Sequence, residues 1–169
     1  ISAGSSRARD ETDVTVDLEG FDSGPMVFTQ VASHNGTDAV TSRVTSKSSD
    51  SFQFRMQEEE ALDGNHATEQ VDWIAIEDVD GGPLDITTMG AVNHNFSAAE
   101  FGAIDGEVGL LAAMQTFNGS DTAALRYEDL TGSSVRIKVE EERSNDAEVA
   151  HLPEEIAVLT AETGLYELA

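Results

Sequence analysis

Residues 27–38 read VFTQVASHNGTD and residues 110–121 read LLAAMQTFNGSD, an apolar run leading into Asn-Gly and an acid, at an offset of 83 that sets Asn35 against Asn118. The correspondence continues outward. Arg43 meets Arg126, Phe54 meets Ile137, Arg55 meets Lys138, and Glu58 and Glu59 meet Glu141 and Glu142. A two-residue insertion in the second copy raises the offset to 85, so that His66, Glu69, Val71 and Glu77 meet His151, Glu154, Ile156 and Glu162. The chain is a duplicated module, and a repeat of this kind decides the architecture before any local assignment does.

Inside each copy the hydrophobic period is two. Phe52, Phe54 and Met56 alternate with Gln53, Arg55 and Gln57, and Val14, Val16 and Leu18 alternate with Thr15, Asp17 and Glu19, the pattern of strands with one buried face. Val71, Trp73 and Ala75 on one side, with Ile74 and Ile76 on the other, predict a strand buried on both faces. Five strands are expected per copy, over 14–18, 26–31, 39–45, 51–57 and 70–77, then 96–101, 108–114, 122–127, 134–140 and 155–161. Asn-Gly pairs and Ser/Thr/Gly clusters supply the turns. Two short stretches, 97–101 and 152–156, also carry a helix-like pattern, too brief to alter the class. The predicted fold is all-β: two tandem antiparallel β-sandwich-like modules, at 14–80 and 84–169, joined at Asp80-Gly81-Gly82-Pro83. Residues 1–13 are rich in Ser, Arg and acids, and read as a flexible arm or linker.

Composition bounds the setting. The 169 residues hold 33 acids against nine bases, a formal charge of −24, and Lys47 and Lys138 are the only lysines. Such a surface repels phosphate backbones and anionic lipid, so neither nucleic acid nor a membrane is an expected partner. It suits a protein working in high salt, where a Debye length of about 3 Å at 1 M quenches self-repulsion; an acidic secreted protein is the other reading. Cysteine is absent, which removes disulfides and thiolate chemistry. No apolar run approaches the roughly 20 residues of a membrane-spanning helix. The chain opens at Ile1 with no initiator methionine, which predicts a processed or excised polypeptide.

The scarce positive charges are concentrated. Pairing the apolar faces of 39–45 and 51–57 sets Val44 against Phe54, Ser42 against Met56 and Arg43 against Arg55. The second copy sets Arg126 against Lys138 and Glu128 against Arg136. These bases fall on the solvent-side parity, and like charges opposed across strands destabilise by up to roughly 1 kcal/mol. Something anionic is therefore expected over that face. Carboxylates of the same module, of the other module or of a neighbouring subunit are one source. A ligand is the other, with Arg forks donating to sugar hydroxyl or carboxylate oxygens; the candidate ligand-binding set is Arg43, Arg55, Trp73, Arg126 and Lys138.

The acidic turn after 51–57 offers a second candidate. Glu58, Glu59, Glu60 and Asp63, close to Gly64, supply oxygens of the kind calcium prefers, although the spacing is not that of an EF-hand. The alternative is a solvated acidic loop. Glu58 and Glu141 share the core-facing parity, which predicts buried strand-end carboxylates. His66 with Glu69, and His151 with Glu154, repeat as His-x-x-Glu; three residues apart on a strand they face opposite sides, so they are read as loop anchors. No nucleophile elbow, phosphate-binding glycine loop or spaced carboxylate pair is present, so no catalytic residue and no obligatory cofactor is expected.

Taken together, the apolar strand, His34-Asn35-Gly36 with Asp38, the Arg43 strand, Gln57-Glu58-Glu59-Glu60, His66 with Glu69, and Trp73-Ile74-Ala75-Ile76-Glu77 resemble the H-type-lectin-like modules of bacterial, archaeal and viral surface proteins. The resemblance covers Val14 to Glu77 and, more weakly, Val92 to Glu162. It implies small antiparallel sandwiches, a tendency to trimerise, and glycan or surface recognition; no binding residue transfers by motif. The expected function is a non-enzymatic surface or virion module for adhesion or glycan recognition, acting as a homo-oligomer. A structural subunit that tiles a virion or surface layer beside neighbouring subunits is the alternative. Either places the chain outside the cell, at its surface, or in a virion.

Overall fold

The computed structural model describes residues 1–77 and 84–164, so the expected joint at residues 80–83 lies outside the described residues. It is all-β, with no helix among those residues. The first module contains β1 (Ser2–Ala8), β2 (Val14–Asp17), β3 (Met26–Val31), β4 (Val40–Lys47), β5 (Ser51–Glu58) and β6 (Glu69–Ile76). The second contains β7 (Asp85–Val92), β8 (Ser97–Glu100), β9 (Val108–Met114), β10 (Ala123–Glu128), β11 (Ser134–Glu141) and β12 (Glu154–Glu162). Each module is a sandwich of two antiparallel three-stranded sheets, ordered β1-β6-β3 and β2-β5-β4 in the first, β7-β12-β9 and β10-β11-β8 in the second. The duplication is thus one of topology as well as of sequence.

Each module has six strands rather than five, and the additional one comes first. Residues 2–8 are no arm: they form β1, paired with β6 from Ser2 opposite Ala75 to Ala8 opposite Glu69. Composition hides this strand because its inner face lies on the Trp73 indole. A methyl at Gly4 would stand 2.7 Å from Trp73 Cζ2, and Ser6 Oγ accepts from the indole N–H at 3.3 Å. Only small residues fit there, so the apolar alternation that marks the other strands is missing. The helix-like stretches at 97–101 and 152–156 correspondingly contribute to β8 and to the start of β12; backbone pairing within the sheets overrides so short a local pattern.

The hairpin register follows the apolar faces. Val44 lies opposite Phe54, Ser42 opposite Met56 and Arg43 opposite Arg55, with a bulge between Val44 and Ser46 shifting the remainder. Arg126 lies opposite Lys138, and Glu128 opposite Arg136. Val16, Val27, Val44, Phe52, Phe54, Met56 and Val71 fill the first core. Val92, Met114, Val135, Ile137, Val139, Ile156 and Val158 fill the second. A third cluster, formed by Phe28 and Ile76 with Ala157 and Leu159, belongs to neither sandwich. It packs the outer face of sheet β1-β6-β3 on that of β7-β12-β9, which is why β6 is apolar on both sides.

Candidate functional site

The same carboxylate cradle is built twice. In the first module Glu69 Oε1 accepts the backbone N–H of Asn35 at 2.6 Å and of Gly36 at 2.7 Å. Its other oxygen takes the Ser33 hydroxyl, and Ser33 Oγ in turn accepts the Gln70 N–H at 2.7 Å. In the second, Glu154 Oε1 accepts from Asn118 and Gly119 at 2.9 Å each, and Thr116 replaces Ser33. The Asn side chains complete each loop, Asn35 to the Thr68 carbonyl and Asn118 to that of Pro153. The Asn-Gly motif is therefore the donor half of an anion nest, and the glutamate that opens β6 or β12 is its resident anion.

Behind each cradle lies a buried Glu–His–Glu trio. His66 Nδ1 is 2.8 Å from Glu58 Oε1 and its Nε2 is 3.2 Å from Glu69 Oε1. His151 stands at the same distances from Glu141 and Glu154. His and Glu three residues apart meet, against the expectation for a strand, because each histidine sits in the loop before the strand and folds back over its first residue. Both ring nitrogens face carboxylate oxygens, a geometry satisfied when both donate. Burial opposes the charge on His151, but its bonds to Glu154 and Glu141 outweigh that penalty and raise its pKa above 6.5. Burial likewise works against ionised Glu154, and His151, Gly119, Thr116 and Arg43 together overcome it and hold the carboxyl below 4.5. Glycine is required beside the ring: a methyl at Gly119 would stand 2.5 Å from His151 Cε1. Gly119→Ala is expected to lower stability by about 1–3 kcal/mol through this overpacking, as read by urea denaturation in molar salt; an unchanged midpoint would mean the loop is not pinned to the imidazole.

The two cradles differ in what reaches them from outside. Arg43 crosses from the first module and places Nη2 2.8 Å from Glu154 Oε1, while Nη1 donates to the carbonyls of Gly119 and Asp121 at 3.1 Å and to Gln57 Oε1 at 3.2 Å. Both side chains of this pair are at most 1 % exposed. The Phe117 ring lies 4.4 Å from the Arg43 guanidinium and 4.7 Å from that of Arg55, and Asp13 takes Arg55 Nε at 2.8 Å. The opposed arginines are thus resolved by Glu154, by Asp13 and by an aromatic face between them. Around this centre Gln115 caps the edge of β3, accepting the Val27 N–H at 2.9 Å and donating to the Val27 carbonyl at 2.8 Å. Gln57 donates to the Ser120 carbonyl at 2.8 Å, Thr122 to that of Glu58 at 2.5 Å, and Lys47 pairs with Glu155 at 3.0 Å.

The five residues proposed for ligand binding do not converge. Arg43 is sealed in the joint, which corrects its placement on a solvent face: that face of the sheet is covered by the second module. Arg55 stands half-buried beside it, and Trp73 belongs to the other sheet and packs edge-on to Phe52 at 5.4 Å. Arg126 and Lys138 lie on the second module and share Glu140, at 3.1 and 2.9 Å. Of the proposed calcium ligands, Glu58 is buried on His66 as its parity predicts, and Glu59 is exposed. Glu60 and Asp63 line an acidic hollow with Glu11 and Asp121. There partial desolvation and the nearby Asp121, Asp146, Glu142 and Glu141 raise the pKa of Glu60. Gln115 and Phe117, which dominate the joint, were not among the expected site residues; their only sequence signal is their place beside the repeated Asn-Gly turn.

No family model and no solved structure matches the chain. It is 35 % identical over 125 residues, 70 % of its length, to Halomucin of Haloquadratum walsbyi. The chain spans about 1 % of the length of that relative.

Proposed function

We propose that the chain is a non-enzymatic structural segment of a long surface-associated polypeptide of a halophile, in which two β-sandwiches are clamped into one stiff unit. The burial of Arg43 against Glu154 carries this reading. The charged hairpin that was the best candidate for a ligand site is consumed in holding the modules together, and the Glu–His–Glu trios lie closed beneath their loops. The likeness to a short stretch of a very long protein from a halophile supports the setting, as does the charge of −24. The stiff unit is tested by 15N relaxation in molar KCl, where the two modules are expected to share one rotational correlation time; independent tumbling would defeat the proposal. In the same series, the melting temperature is expected to rise as salt is raised from millimolar to molar, because the surface repulsion is screened while the buried pairs are not.

Glycan recognition, the second reading, has a different home from the basic hairpin. A shallow groove between the modules is lined by Phe28, Gln30, Asp72 and Trp73 on one side and by Leu111 and Ala113 on the other. The Trp73 indole is turned away into the first sandwich, so what the groove offers is the Gln30 amide and the Asp72 carboxylate beside Phe28 and Leu111, apolar surface with a few polar groups. A glycan array in molar salt separates the two readings: retention that Gln30→Ala abolishes would favour recognition, and an empty array favours the structural role.

A further inference from the structure

Three Asn-x-Ser/Thr sequences, the acceptor pattern for N-linked sugar, occur in the chain: Asn35-Gly36-Thr37, Asn95-Phe96-Ser97 and Asn118-Gly119-Ser120. All three asparagines are exposed, so exposure does not choose among them. What their backbones are tied to does. Glu69 accepts the N–H groups of Asn35 and Gly36, and the Asn35 amide nitrogen donates to the Thr68 carbonyl at 2.9 Å. Glu154 accepts those of Asn118 and Gly119, the Asn118 amide nitrogen donates to the Pro153 carbonyl at 2.7 Å, and Arg43 fastens the Gly119 carbonyl from the first module. A transferase that grips either acceptor must lift it off a buried carboxylate and strip that group of its donors.

Asn95 is held differently. It stands in the turn between β7 and β8, where its N–H donates to Asn93 Oδ1 at 2.9 Å and its amide nitrogen lies 3.3 Å from the same oxygen. Both bonds stay within the turn, and neither satisfies a buried group. The turn is anchored at its two ends instead, by the Asn93 carbonyl accepting the Val139 N–H at 2.9 Å and by Ser97 paired with Ile137. Phe96 lies against the basic strand, with Arg136 and Lys138 at 5.3 and 5.4 Å from its ring centre. The hydroxyl that completes the acceptor is also free: Ser97 Oγ makes no side-chain hydrogen bond among the described residues, whereas Ser120 Oγ donates to Asp121 at 3.1 Å. The site belongs to the second module alone. Ser97 faces Ile137 as Val14 faces Phe54, so the first copy reads Thr12-Asp13-Val14 at this place and carries no acceptor.

We propose that Asn95 is the N-glycosylation site of this chain, and that the two carboxylate cradles keep Asn35 and Asn118 bare. This rests on the reading of the chain as part of a surface-associated polypeptide. The glycosyl donor is a lipid-linked glycosyl phosphate. Asn95 Nδ2 forms a bond to the anomeric carbon, the bond from that carbon to the phosphate oxygen breaks, and one amide proton leaves with the phosphate. Because β8 is an outer strand of its sheet, a bulky hydrated sugar at its start also shields a strand edge from other chains.

The folded chain, incubated in molar KCl with membranes of a glycosylating halophilic archaeon and their lipid-linked oligosaccharide, tests the assignment. Cleavage after glutamate, at Glu58 and Glu100 among others, puts the three acceptors into separate peptides for mass measurement. Synthetic peptides of the three sequences serve as unfolded acceptors. All three peptides are expected to gain the glycan mass. In the chain Asn95 gains it too, whereas Asn35 and Asn118 gain it at least roughly tenfold less, because reaction there is limited to the locally opened population. Asn95→Gln should remove the added mass and leave the melting temperature unchanged. A bare Asn95 in the chain, whether or not its peptide is modified, overturns the proposal, and so does equal modification of all three in the chain. The assay bypasses export, so its failure leaves the surface reading standing. Recovery of the chain only from the interior of a haloarchaeon that expresses it would remove that reading and the proposal together.

Discussion

Arg43→Ala splits the thermal unfolding of the chain into two transitions and costs about 3–5 kcal/mol. The side chain is 1 % exposed and donates to a carboxylate and two carbonyls across the module boundary and to an amide oxygen of its own module. Truncation leaves Glu154 buried beside Glu141 with one positive partner in place of two, and leaves a void where the guanidinium faces Phe117. The attraction itself is not the main quantity lost; the uncompensated charge is. Burial pushes the Arg43 pKa down, and Glu154 supplies the chief opposing pull, so each partner favours the ionised form of the other. Its cross-strand neighbour provides the contrast. Arg55 pairs with Asp13 in a half-exposed setting, where ion pairs contribute roughly 0–1 kcal/mol, and Arg55→Ala should leave a single transition. Calorimetry in molar salt decides: if Arg43→Ala still unfolds in one transition with a loss under about 1 kcal/mol, the joint is held by the Phe28 cluster and not by the pair.

Unfolding in acid is the second large effect. The Ser33 hydroxyl, with the N–H groups of Gly36 and Asn35 and the His66 ring, overcomes desolvation and holds the Glu69 carboxyl down to about 2, against an ordinary 4.5. Glu154 is also below 4.5. A carboxyl whose pKa is depressed by folding contributes stability that is fully present above 4.5 and is lost as pH falls toward the folded value. The Glu69 cradle should therefore weaken between about pH 4.5 and 2, and the Glu154 cradle as pH falls below 4.5 toward its folded pKa. His151 has the opposite sign: raised by folding, it stabilises fully below 6.5, and that contribution disappears as pH rises through its folded pKa. Maximum stability is expected between these limits. Glu60, whose pKa is raised, opposes the acid limb only weakly because it is largely solvated. The experiment is urea denaturation across pH in molar KCl, where screening removes the general benefit that acid brings to so negative a chain. Glu69→Gln should flatten the acid limb and His151→Gln the alkaline one. A wild-type profile that is level from pH 4.5 to 2 would refute the assigned role of the cradles.

Much of the fold was legible because alternation is a local signal. Phe52, Phe54 and Met56 face one way whatever surrounds them, and pairing them with Val44 and Ser42 was enough to set the hairpin register. The strand Ser2–Ala8 was not legible, since its inner face is dictated by the Trp73 ring about 70 residues away in sequence, and small residues carry no period of their own. The joint was half legible. Opposed Arg43 and Arg55 required an anion, and a neighbouring module was one of the sources considered. Whether that anion was a glutamate of the second copy or a ligand depends on how two sandwiches dock, which no spacing within one copy encodes.

From the sequence alone came the duplication, the all-β class, the strand registers and the acidic surface, because each depends on periodicity, on chain composition or on comparing the chain with itself. The tertiary structure alone decided the function of the repeated residues. Two copies of one motif, Asn-Gly with a serine or threonine, a histidine and a glutamate, are chemically alike. They become different when packing brings Arg43 to one of them and no guanidinium to the other, although both glutamates are buried. Desolvation then converts an ordinary ion pair into a clamp, and only the arrangement of the two modules determines which glutamate is desolvated with a guanidinium beside it.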